Sequence, residues 1–188
     1  MKTYFIPAEM PYDGSQLQPL YAYLYHKVLG DSIISWIGAC DIPFENMIDG
    51  EDLVERSAIK GSRMLHFIIE IFHTSLFVGV TSQRLFASIA RDYLQGSAGK
   101  ALQQDDLIRQ GDDIFWKDKK LSISIASRSA VSTQIHFAMN ISTAGTPVKT
   151  TSLDELNLQA KSVAQDLMNL WQKEFTSIEI ATKKVRPL

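Results

Sequence analysis

Two segments in the second half of the chain, 120–127 and 134–142, alternate almost residue by residue between apolar and small or polar side chains. In the first, Leu121, Ile123 and Ile125 alternate with Lys120, Ser122, Ser124 and Ala126. In the second, Ile135, Phe137, Met139 and Ile141 alternate with His136, Ala138 and Asn140. A period of two belongs to the β-strand, because successive side chains leave opposite faces of the backbone. Such segments must bury the apolar face of a sheet, and the rest of the chain has to supply the cover. Residues 64–72 (MLHFIIEIF) add a strand dense in Ile and Phe, with His66, Ile68, Glu70 and Phe72 on one face.

The remaining segments fall into place around these strands. Residues 2–6 form a short strand closed by Pro7, and 32–42 a strand ended by Pro43. Leu20, Tyr21, Leu24 and Val28 recur at helical spacing after the turn Tyr12-Asp13-Gly14-Ser15. A short charged helix is expected over 50–59. A second helix, capped by Thr81 or Ser82, runs to about Leu94 with Leu85, Phe86, Ile89, Ala90 and Tyr93 on its core face. Residues 113–117 and 120–127 make a hairpin around Asp118-Lys119. Val163, Leu167, Leu170 and Trp171 form the stripe of a C-terminal helix. The order predicts an α+β fold, a mostly antiparallel sheet flanked by helices on one side. With 188 residues, no internal repeat and no break in composition, a single domain over 1–188 is expected.

Charge and composition exclude several classes. Lys and Arg number 19 against 21 Asp and Glu, a net charge of −2, which argues against a basic nucleic-acid binder. The lone Cys40 excludes a disulfide framework and reads as a small buried hydrophobe. No signal-peptide layout opens the chain and no apolar run approaches a membrane span, so a cytoplasmic protein without a membrane partner is expected.

If the greasy faces of the three strands align, the opposite face collects Lys120, Ser122, Ser124, His136, Asn140, His66 and Glu70. Small side chains leave room above a sheet, and polar ones orient a small-molecule ligand there. The same pattern fits an ordinary solvated sheet face, and both readings stand at this level. Lys120 can hold a phosphate or carboxylate, or be a solvated turn lysine. Asp112 and Asp113 can bind magnesium, or simply build the turn. His66 and Glu70, four residues apart on one strand, lie roughly 13 Å apart and cannot share an ion. Each of His66 and His136 is either functional or a core histidine satisfied by a hydrogen bond. There is no P-loop, no Gly-x-Gly-x-x-Gly and no Gly-x-Ser-x-Gly elbow.

Residues 111–126 (GDDIFWKDKKLSISIA) resemble the Asn-Asp-Ile, turn, Lys-Ile-Ser-Gly-Ser hairpin of the biotin and lipoate protein ligases, whose lysine contacts the acyl group and the nucleotide phosphate. Across nearly its whole length the chain is also similar to an archaeal and bacterial family, domain-of-unknown-function family number 366. That likeness rests on Tyr12-Asp13-Gly14-Ser15, Gly30-Asp31-Ser32, residues 64–72, Gln83-Arg84, residues 111–126, Val131-Ser132, Ile135-His136 and Asn140. The resemblance implies the fold of class II aminoacyl-tRNA synthetases and of biotin and lipoate ligases. It puts Lys120 at the ligase lysine, Asp113 at the aspartate, and Ser122 and Ser124 on the strand after it. Ile123 stands where the ligases have glycine, and their Arg-x-x-Gly-Gly-Gly loop is absent. Arg63, in Lys60-Gly61-Ser62-Arg63, partly fills that role. Two functions follow. One is an adenylating ligase or acyltransferase that uses ATP and magnesium on a small carboxylic acid. Lys120 would meet the phosphate, Asp113 would hold magnesium, and His66 or His136 would bind substrate or shuttle a proton. The other is a non-catalytic small-molecule or nucleotide binding module. A homodimer with Trp36 or Trp171 at its surface is a further expectation, and nucleic-acid contact is the weakest.

Overall fold

The computed structural model describes residues 1–99, 102, 106–146 and 148–186. The elements run β1 (Lys2–Phe5), α1 (Tyr21–His26), β2 (Ser32–Asp41), a 3-10 turn (Phe44–Asn46), α2 (Gly50–Glu55), β3 (Lys60–Phe72), α3 (Leu76–Ser97), β4 (Leu107–Gln110), β5 (Asp113–Trp116), β6 (Lys119–Lys120), β7 (Ser122–Arg128), β8 (Ser132–Asn140) and α4 (Ala160–Lys183). One sheet has the order β1-β2-β3-β8-β7, and a smaller one the order β4-β5-β6. Among the strands described, β1 and β2 pair in parallel and the others antiparallel, with isolated parallel bridges at Tyr12–Cys40 and Lys120–Thr150.

Both faces of the large sheet are covered. On one side α3 and α4 bring Phe86 and Trp171 onto Phe67 and Phe137. Phe86 stands edge-on to Phe137 at 5.2 Å and to Trp171 at 5.6 Å, the arrangement that ring quadrupoles favour. On the other side α1 and the segment before it close over Ile34, Trp36, Ile68 and Ala138. The expectation of a sheet helix-covered on one side is therefore incomplete. Its second face is not solvated, and His66 and His136 lie within it, 0% and 1% exposed. Trp36 and Trp171 are equally buried, so neither forms a surface for a second copy.

Three boundaries differ from the sequence reading. Helix α3 begins at Leu76, not after Thr81, because Ser75 Oγ accepts the Val78 N–H at 3.3 Å and caps it. Its first turns carry Phe77, Val78, Gly79 and Val80, and Gly79 packs against the sheet where an added Cβ would meet Thr133 at 3.2 Å. Helix α1 is confined to Tyr21–His26 by left-handed residues at both ends, Leu20 and Lys27. The segment 120–127 is two strands, β6 paired to β5 and β7 paired to β8, with Leu121 at the join. At the far end, α4 buries Val163, Leu167 and Trp171, while Leu170 is exposed.

Candidate functional site

The register of β3 on β8 pairs His66 with Ala138 and Ile68 with His136, so the two histidines lie diagonally on one face. His66 Nε2 is 3.2 Å from the Gly38 carbonyl, and His66 Nδ1 is 3.1 Å from His136 Nε2. A carbonyl only accepts, so His66 donates through Nε2. Burial pushes the His66 imidazole down to about 4 and holds His136 well below the ordinary histidine range, with His66 adding to the effect. Both rings are thus neutral. His66 Nδ1 carries no proton and accepts from His136 Nε2, and His136 Nδ1 is left as an acceptor.

Tyr12 lies flat on His136, with ring centroids 3.7 Å apart and planes within 11°. A backbone crossing puts it there. Residues 10–12 run along β2, with Met10 N–H donating to Ile37, Tyr12 N–H to Ala39, and Asp41 N–H to Tyr12. That approach needs Gly38, since a Cβ there would stand 1.8 Å from the Met10 carbonyl oxygen. Burial raises the Tyr12 phenol, which stays protonated. Tyr12 and His136 wall a narrow hollow of about 60 Å³, otherwise lined by Leu17, Ile42, Ile59, Ile123 and Ile125 among others. By the roughly 10–15 Å³ that one water needs, it takes a handful of non-hydrogen atoms.

A wider mouth of about 380 Å³ shares Asp49, Asp52, Ile59, Ile123 and Ser124 with the narrow hollow. Lys120 Nζ stands there 2.7 Å from Asp113 Oδ2. Burial raises the Asp113 carboxyl; Lys120 opposes the rise, and Asp112 and Asp52 add to it. The Asp52 carboxyl is raised too, by burial and then by Asp49. Asp49 caps α2 by accepting the Glu51 and Asp52 N–H groups. That short acidic helix forms the rim opposite Lys120.

The nine candidate residues separate into groups. Lys120, Asp113 and Asn140 border the mouth, and Asn140 Nδ2 donates to the Lys120 and Thr151 carbonyls, fixing the strand join. His136 walls the narrow hollow, with His66 behind it. Ser122 and Ser124 edge the mouth, but their hydroxyls turn to the other side of the sheet. Ser122 Oγ accepts the Ile114 N–H, and Ser124 Oγ donates to the His136 carbonyl and accepts from Gln83 of α3. The reason is register: Ser122 pairs with Met139 and Ser124 with Phe137, so Ile123 and Ile125, not the serines, share a face with His136. Two residues stand apart. Arg63 is exposed and bound to Glu9 at 2.8 Å. Glu70 is buried and accepts from Leu20 N–H at 2.8 Å and Ser132 Oγ at 2.6 Å, which ties α1 to the sheet. Tyr12, Asp49 and Asp52 were not among the sequence candidates for the site; nothing local in the chain shows that residues 10–12 and 49–52 lie beside β7 and β8. Gly38 inside an apolar strand is the one local signal of a close approach. Among the described residues, no group of three or more His, Cys, Asp or Glu is arranged to hold a metal.

The α+β fold is that of the biotin and lipoate protein ligases, class II aminoacyl-tRNA synthetase-like. Plasmodium falciparum LipL1 in complex with lipoate superposes with a TM-score of 0.59 at 12% identity, over 100% of this chain and 63% of that one. The chain belongs to the family described as Domain of unknown function (DUF366), whose model matches residues 1–186. Uncharacterized protein MJ0805 of Methanocaldococcus jannaschii is 30% identical over 195 residues, covering 100% of this chain and 86% of that protein. A protein of unknown function from Pyrococcus horikoshi is 31% identical, with a TM-score of 0.92 over 100% of this chain and 98% of the other. No helix among the described residues is long and apolar enough to cross a membrane.

Proposed function

We propose that the protein is a small-molecule binding module on the ligase fold. A compact apolar group enters between Tyr12, Ile123 and Ile125, and a polar end rests in the mouth beside Lys120 and Asp113. The observation that carries this reading is the adjacency of the two hollows, which share Asp49, Asp52, Ile59, Ile123 and Ser124, one mainly apolar and walled by the buried His136, the other lined by charge. A concave site with few, well-placed polar groups is the usual form of a ligand pocket. A ligand bound only by the folded protein raises its melting temperature. A thermal-shift screen of organic acids, amines and nucleotides is expected to return a stabilising compound whose effect falls in Ile123→Asp, which fills the narrow hollow with charge. No stabilisation by any class would overturn the reading.

A second reading, adenylation of a carboxylic acid by ATP and magnesium, is favoured by Lys120 standing in the hairpin at the mouth. The mouth fits a polyphosphate poorly. Lys120 is engaged by Asp113 and Lys60 by Asp41 at 3.0 Å, and most of the other charges facing the space are carboxylates. The glycine-rich loop whose amides would close on phosphate is missing from the sequence. Pyrophosphate release with ATP, magnesium and a panel of carboxylic acids, abolished by Lys120→Ala, would replace the binding reading. No release is expected.

A further inference from the structure

The mouth is acid-lined and the hollow behind it ends in a hydrogen-bond acceptor. Asp49, Glu51, Asp52 and Glu55 on one side, and Asp112 and Asp113 on the other, face only Lys60 and Lys120. Both lysines already hold a carboxylate, Asp41 and Asp113. Asp112 faces Arg84 at 4.0 Å and accepts from Gln83, so among the described residues lining the mouth the carboxylates left without an ion pair are those of α2 and its cap, Asp49, Glu51, Asp52 and Glu55. Burial raises the carboxyls of Asp52 and Asp113 and neighbouring carboxylates add to the rise, while Lys120 opposes it at both.

The second observation is independent of the first. His136 is 1% exposed and walls the narrow hollow. Its Nε2 proton goes to His66, whose own proton goes to Gly38. His136 Nδ1 has no partner among the described residues. The histidine chain fixes it as an acceptor, because reversing the chain would aim a lone pair at the Gly38 carbonyl. A group entering the narrow hollow must donate to it or leave it unsatisfied, a cost that buried polar groups avoid.

Resting on the binding reading above, we propose that the ligand is a small amine. Its cationic nitrogen lies in the acidic mouth and its apolar body passes Ile123, with a neutral O–H or N–H at the far end donating to His136 Nδ1. Carboxylates and phosphates are the wrong sign for the mouth, and a plain hydrocarbon end is the wrong chemistry for the imidazole. Selectivity comes from both ends of the site.

Three matched probes separate the elements. 5-Aminopentan-1-ol has the cation and the donor, pentylamine the cation alone, and 5-hydroxypentanoate the donor with the opposite charge. Titration of each into the full chain, followed by amide chemical shifts of Ile123, Ile125 and His136, is expected to rank them in that order. The amino alcohol should exceed the carboxylate by at least about tenfold in affinity, as a single opposite charge beside several carboxylates commands. Asp52→Asn and, separately, Glu51→Gln should each weaken the two amines about threefold at low salt and leave the carboxylate no weaker. Tighter binding of 5-hydroxypentanoate, lost in Lys120→Ala, would overturn the amine assignment while leaving the binding site standing. Equal binding of all three overturns the assignment as well. Absence of any shift at these residues with every probe would overturn both.

Discussion

His136 is held by contacts made on three sides: Tyr12 on its face, His66 at Nε2 and the β7 strand beside it. Two neutral imidazoles in such a place make the fold acid-sensitive. An unfolded histidine takes up its proton near 6.5, whereas folded His66 does so only at about 4 and His136 well below 6.5. Acid thus favours the unfolded chain. Stability is full above pH 6.5 and drains as pH falls towards 4, by about 1.4 kcal/mol per pH unit for each fully linked histidine. Urea unfolding across this range should show the loss, with a shallower slope in His136→Gln; a flat profile would contradict the buried neutral pair. Gly38→Ala tests the crossing that seats Tyr12. With a Cβ 1.8 Å from a backbone oxygen, the segment 10–12 must lift, at a cost of about 2–4 kcal/mol in denaturation experiments.

At the scale of elements, single polar contacts set where α3 begins and tie α1 to the sheet. Ser75→Ala removes the α3 cap and should lower unfolding free energy by about 1 kcal/mol. Glu70 shows how a residue can share a face with the site and serve only the fold. Its carboxylate accepts from Leu20 N–H and Ser132 Oγ, and no part of it reaches either hollow. Glu70→Ala should therefore cost about 1–3 kcal/mol by leaving a buried amide and hydroxyl without a partner. It should leave the affinity for a ligand stabilising the wild type unchanged, as a calorimetric titration would read. The break at Leu121 matters most. Leu121 is buried with Ile114 in the core beneath α3, so β6 and β7 join different sheets. That break carries Lys120 to the mouth and turns the serines of β7 away from it.

Taken whole, the molecule is a sheet clamped between two layers, with its hollow where the second layer stops short of β7. On the binding reading, a ligand would bridge the sheet and α2, an element with no buried residue of its own. Ligand binding should thus protect amides of 50–55 from hydrogen exchange more than those of α3, a comparison readable by mass spectrometry. The strands of the large sheet, the α+β class, the buried Cys40 and the helix stripe around Val163, Leu167 and Trp171 were legible in the sequence, whereas β4 was not. Legible too was the ligase-like fold. The pairing of His66 with His136 and the placing of Tyr12 were not. Nor could the alternation of 120–127 say which way Ser122 and Ser124 face, since the break between β6 and β7 at Leu121 reverses the sense of everything after it. Period fixes what a strand is. Which side it shows, and to whom, is settled by register against partners far away in the chain, and only the packed tertiary structure holds that information.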